Sequence, residues 1–145
     1  MIIHNKKAFF NYTITDRYEA GICLAGSEVK SIRNGHATIH ESYVRIRNNE
    51  AYLINATIQP YAYGNRYNPP TSRDRKLLLN RREITKITQL IERKGLVAIP
   101  LKIYLKKNVF KVEVGIGVPK KMHDKRASIK ERDVTRALSG RSSRL

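Results

Sequence analysis

The stretch Val97-Ala98-Ile99-Pro100-Leu101-Lys102-Ile103-Tyr104-Leu105-Lys106-Lys107-Asn108-Val109-Phe110-Lys111-Val112-Glu113-Val114-Gly115-Ile116 decides the fold. Val97, Ile99, Leu101, Ile103 and Leu105 alternate down its first half, Lys106-Lys107-Asn108 turns the chain, and Phe110, Val112, Val114 and Ile116 run back. A period of two on both sides of a polar turn predicts a long β-hairpin. Pro100 has no amide hydrogen to give a ladder, so its strand is expected to be at an edge or bulged there.

The same period recurs upstream. Phe10, Tyr12 and Ile14 alternate with Asn11, Thr13 and Thr15, and after a turn expected at Asp16-Arg17 a second set follows in Tyr18, Ala20, Ile22 and Leu24. Val44 and Ile46 alternate with Tyr43, Arg45 and Arg47; Asn48-Asn49-Glu50 reads as a hairpin turn, and the return strand is expected to place Tyr52, Ile54, Ala56 and Ile58 on one face. Helical character is confined to two segments. Ser27 to Asn34 is short, with Val29 and Ile32 on one side, Glu28 in its first turn and Gly35 as a stop. The other starts with an Asn80 cap and Glu83 in a capping-box spacing, carries the stripe Ile84, Ile87, Leu90, Ile91, and ends at Gly95. About six strands with such inserts predict a mainly β chain. The architecture expected is a small OB-fold-like antiparallel barrel with two to three short helices, residues 1–119, of the kind that binds oligonucleotides.

Two stretches fall outside that barrel. Pro60 to Arg75, with Tyr61, Tyr63 and Tyr67, reads as a long loop whose tyrosines either pack on the barrel or stack on bases. Residues 120–145 hold nine basic and three acidic side chains. The apolar Ile129, Val134, Ala137 and Leu138 form no continuous stripe. Ordering each residue costs roughly 1–2 kcal/mol, which four scattered side chains do not offset, so a basic C-terminal tail that is disordered when free and folds on a polyanion is expected.

Charge narrows the partner. Twenty-nine Lys plus Arg against twelve Asp plus Glu leave +17 over 145 residues. That excess calls for a polyanion. The most basic stretch lacks the bulky apolar face of a membrane-surface helix, no run of apolar residues is long enough to span a bilayer, and the first residues lack a signal-peptide core. Nucleic acid is the expected partner, in the cytoplasm. Catalysis is not expected: the twelve acidic residues are dispersed, His4, His36 and His40 have no ligand spacing, and no phosphate-binding loop or nucleophile motif occurs. Cys23 is the only cysteine and reads as a small core residue on its strand. No metal site and no cofactor are expected.

Five stretches in order carry a resemblance. Asn5-Lys6-Lys7-Ala8, Tyr18-Glu19-Ala20-Gly21, Gly26-Ser27-Glu28-Val29-Lys30-Ser31, Arg75-Lys76-Leu77-Leu78-Leu79-Asn80 and Lys120-Lys121-Met122-His123-Asp124-Lys125-Arg126 together resemble the SsrA-binding protein (SmpB) family. The resemblance implies an OB-type barrel that binds the tRNA-like domain of tmRNA, and a tail that enters the empty mRNA channel and decoding region of stalled ribosomes for trans-translation. It implies RNA-binding roles for Asn5, Lys6, Lys7, Glu19, Lys30, Arg33, Arg75, Lys76, Leu78 and Asn80. In the tail it implies ribosome-engaging roles for Lys120, Lys121, His123, Asp124, Lys125, Arg126, Lys130 and Arg132. The partners implied are tmRNA and the ribosome, met by a monomer without a membrane. Val118-Pro119 departs from the family's usual Lys-Gly pair and predicts a more restricted exit for the tail, because proline fixes φ near −65°. Composition alone leaves a structural ribosomal protein, or a general OB-fold RNA-binding protein, as the alternative; the motif set is what separates them.

Overall fold

The long hairpin of residues 97–119 lies inside the main sheet, with a neighbouring strand on either side. The computed structural model describes residues 2–60 and 70–121. In it β8 (Val97–Lys106) and β9 (Val109–Pro119) pair antiparallel around Lys107-Asn108, both at positive φ (51° and 65°). The turn of the β4 (Tyr43–Arg47) and β5 (Glu50–Ile54) hairpin repeats this at Asn48 and Asn49, φ 53° and 61°. Two consecutive left-handed residues match the twist of the flanking strands, and asparagine tolerates that conformation well.

With β1 (Ile2–His4), β2 (Tyr12–Ile22) and β7 (Arg75–Leu78), these strands form one antiparallel sheet in the order β1-β8-β9-β2-β7-β5-β4. A short pair, β3 (Ala37–Thr38) with β6 (Thr57–Ile58), makes a second sheet. The large sheet curls until β4 comes against β8, but no ladder joins them. It is a nearly closed, OB-like barrel. Its interior gathers Ala20, Val44, Leu53, Leu77, Ile103, Val112, Val114 and Ile116 from the strands, Ile32 from α2 (Gly26–Arg33), and Ile87 and Leu90 from α3 (Arg81–Lys94).

Both expected helices form with the expected ends. Asn80 Oδ1 accepts from the Glu83 amide at 2.9 Å, Glu83 accepts from the Asn80 amide at 3.2 Å, and Gly95 closes α3 at φ 64°. Gly35 stops α2 at φ 76°. A third, one-turn helix, α1 (Ala8–Asn11), makes three among the described residues, within the two to three expected; its position was not read from the sequence, and it takes Phe10 out of the strand assigned to it. Ala8 covers a small second cluster with Ile99 and Leu101 on the outside of the sheet.

Four strand expectations are corrected by register. Asp16-Arg17 is no turn: β2 runs straight through, and a bulge at Thr15, whose hydroxyl donates to the Ile116 carbonyl at 3.1 Å, absorbs the irregularity. The return strand ends at Ile54, because Asn55 at φ 66° redirects the chain; Ala51 and Leu53 face inward on β5, then Ala56 and Ile58 do so after the break. In β8 the expected bulge is present: Pro100 pairs with Val114 and Lys102 with Glu113, leaving Leu101 unpaired. The extra residue switches faces, so Ala98 and Ile103 line the interior while Ile99 and Leu101 point outward, and no single face carries the whole alternating set. Cys23 is exposed rather than core: it follows the last residue of β2, its amide bonded to the Lys76 carbonyl, and continues the outward phase of Glu19 and Gly21. Where β2 and β9 cross near the first bulge only glycine fits: a Cβ on Gly117 would lie 2.2 Å from the Thr13 carbonyl oxygen.

Candidate nucleic-acid interface

The region read as a loop up to Arg75 contains the start of a strand. Arg75 begins β7 and is fully buried. Its guanidinium donates to Glu28 at 2.9 Å through Nε, forms an ion pair with the same carboxylate at 2.7 Å through Nη2, and donates to the carbonyls of Ala56, Arg73 and Thr71. Glu28, also buried, accepts from Arg73 at 2.6 Å and from the Ala25 amide at 2.9 Å. Burial alone would push this carboxyl up, but the donors from Arg73, Ala25 and Arg75 outweigh it and hold it below the usual carboxylate range. Arg75 therefore offers no surface to a ligand. It anchors α2 and the chain returning from residue 70 to β7. Lys30 and Arg33 project from the exposed side of α2, opposite Glu28.

The outward phase of the sheet brings several expected residues together. Glu19 on β2 and Leu78 on β7 are exposed, and Leu78 lies across Gly21, where a Cβ would meet its Cβ at 3.2 Å. Lys76 follows on the same face, 3.0 Å from Glu50, which also accepts from the Tyr52 hydroxyl at 2.9 Å. These donors, Lys76 first, lower the Glu50 carboxyl. Between β7, the Asn48-Asn49 turn and the start of α3 lies a cleft of about 380 Å³, lined by Asn49, Glu50, Lys76, Leu78, Arg81 and Thr85 among others. Asn80 stands at the helix start and holds its cap.

Reading along the sequence missed the other half of this face. Tyr104 Oη donates to Glu19, and Lys106 Nζ lies 3.2 Å from both Glu19 oxygens. The Tyr104 hydrogen bond, then that of Lys106, lowers the Glu19 carboxyl; burial and this same carboxylate push the tyrosine up. Lys102 Nζ sits 5.1 Å from the Tyr104 ring centroid and 3.9 Å from Glu113, which also meets Arg17 at 3.5 Å. At the far side Arg47 lies 4.4 Å over the Tyr52 ring. Cations interleaved with tyrosines on one sheet face offer charge for phosphates and flat rings for bases. The signal was the outward phase of each alternating strand, which carries these side chains while the inward phase carries the core.

Other expected residues lie elsewhere. Asn5 is buried, donating to the Pro100 carbonyl at 2.9 Å, and so supports the β8 bulge. Lys6 and Lys7 are exposed in the turn entering α1. Lys120 and Lys121 follow β9, and the Lys120 amide donates to the Asn11 carbonyl at 2.8 Å. His123, Asp124, Lys125, Arg126, Lys130 and Arg132, the disorder expected of the tail, and Tyr61, Tyr63 and Tyr67 lie outside the described residues. Among the described residues no group of His, Cys, Asp and Glu could hold a metal ion, and no helix is long and apolar enough to cross a membrane.

Known proteins resemble the chain over nearly its whole length. A family model described as SmpB protein matches residues 2–144. An SsrA-binding protein of Thermoanaerobacter pseudethanolicus is 49% identical over 138 residues, covering 95% of this chain and 88% of the relative. One from Bradyrhizobium diazoefficiens is 50% identical, covering 94% and 87%. A solved structure described as "tmRNA-SmpB: a journey to the center of the bacterial ribosome" superposes with a TM-score of 0.70 at 40% identity, covering 94% of this chain and 96% of that one.

Proposed function

The chain belongs to the SmpB family, and from that premise we propose that it binds the tRNA-like domain of tmRNA and brings it to stalled ribosomes for trans-translation. The match across residues 2–144 carries this reading, and it favours a rescue factor over a structural ribosomal protein. The barrel, residues 1–119, is the RNA-gripping body. It acts as a monomer in the cytoplasm, and it is a binding protein rather than an enzyme. Its contact surface is the outward sheet face around Glu19, Lys76 and Leu78, extended by Asn80 at the start of α3, by Lys30 and Arg33 on α2, and by Lys6 and Lys7. Asn5 and Arg75 act from inside, holding the β8 bulge and the α2–β7 junction. Residues from Lys120 to Arg132 engage the mRNA channel and decoding region.

The test is to purify the tagged protein from its host and sequence what comes with it. One small, stable RNA with a tRNA-like end, recovered at far less than one protein per ribosome, is the expected result. A protein that stays with one ribosomal subunit through high-salt washing, at one copy each, would instead make it a structural component.

A further inference from the structure

Glu19 and Glu113 stand directly opposite each other across the β2–β9 ladder. Like charges in that position repel, and each is satisfied by a different set of donors. Glu113 takes Arg17 and Lys102. Glu19 reaches across β9 to β8, where Tyr104 and Lys106 hold it. Exposed ion pairs contribute little to stability, so the network's consequence is orientation: a carboxylate fixed at one spot on an otherwise cationic face. An ionised carboxylate is an acceptor only. It repels phosphate and receives N–H donors, and the imino and amino groups of the Watson–Crick edge are wholly free to donate only where bases are unpaired.

We propose that Tyr104 is a positioning residue for RNA selectivity: it fixes the Glu19 carboxylate to accept from the amino or imino group of an unpaired nucleobase, while the surrounding lysines take the backbone. The inference rests on the RNA-binding reading above and deepens it. Phosphate contacts set affinity and its salt dependence, whereas base contacts set specificity, and this separates a positioning role from a merely structural one.

The experiment compares the full-length protein with its Tyr104→Phe, Glu19→Gln and doubly substituted variants, on a transcript of the tRNA-like domain and on a perfectly paired RNA duplex of equal length, over a salt series. Tyr104→Phe keeps the ring and its lysine contact and removes only the hydroxyl. The expected result is a loss of about tenfold in affinity for the tRNA-like RNA in each single variant, in line with one lost base contact. The double variant should be no worse than Glu19→Gln, and Tyr104→Phe, which alters no charge, should leave duplex binding and the salt slope unchanged. Equal losses on both RNAs, a shallower salt slope, or additive single losses would overturn the proposal. If the unsubstituted protein failed to bind the tRNA-like RNA, the functional reading would fall along with this one; if it bound and Tyr104→Phe bound equally well, this one alone would fall.

Discussion

At the scale of single residues, Glu28 shows how a charged side chain can shape a binding surface without reaching it. Its carboxylate is buried between two guanidinium groups and one amide. Removing one partner of a buried ion pair leaves the others uncompensated and typically costs about 3–5 kcal/mol. Glu28→Gln should therefore lower the unfolding free energy measured in urea at neutral pH by an amount of that order. Its pH dependence has a fixed sign. Because the folded-state value lies below the ordinary one, the unfolded chain takes up the proton first. The stabilisation is complete above the usual carboxylate range and is lost as pH falls through the folded value. Unfolding curves of the two proteins at decreasing pH should converge at the acid end; a gap that stays constant would show that the proton is not linked to this site. None of this was legible in the sequence, where Glu28 read as a helix-start carboxylate and Arg75 as the end of a loop with an implied RNA-binding role. The meeting of Glu28 with Arg73 and Arg75 depends on contacts 45 and 47 residues apart.

At the scale of elements, local signals carried over wherever the cause was local. The α3 cap, its apolar stripe and its glycine stop lie within one segment, and both hairpin turns are set by residues that accept left-handed backbone. Asn80→Ala removes the acceptor for the Glu83 amide and should cost about 0.5–2 kcal/mol in chemical denaturation; a change below that range would mean the helix is held by packing alone. Strand phase was less legible. A bulge shifts every later side chain to the other face, and the two bulges, at Thr15 and Leu101, arise from pairing with β9 rather than from their own neighbours. That is why Asp16-Arg17 read as a turn, and why Ile99 and Leu101 were grouped with Ile103. The same limit hid the Tyr104–Glu19 contact, which crosses β9 between strands 85 residues apart in sequence.

At the scale of the whole molecule, the proposed division is between the barrel and the segment that follows Pro119. Truncation before Lys120 should retain affinity for the tRNA-like RNA and abolish tagging of stalled chains in a reconstituted translation system. Loss of both together would refute the division. The barrel's grip should weaken with salt by roughly 0.7–0.9 log units per tenfold change for each phosphate neutralised, and a flat response would rule out a charge-driven interface. The mainly β class and the polyanion partner were legible from alternation and net charge. Which cations share a face required the sheet.

The restricted exit anticipated from Val118-Pro119 has a mechanical side. β9 is laddered to β8 on one edge and to β2 on the other, and the amide just after the proline is still bonded to Asn11. A pull on the chain beyond Lys121 therefore meets two rows of hydrogen bonds loaded in shear, with the chain's opening helix as a further clasp. Force arriving through that end would be spread across the widest part of the sheet before any strand could peel, so the body can bear tension while its extension is held elsewhere.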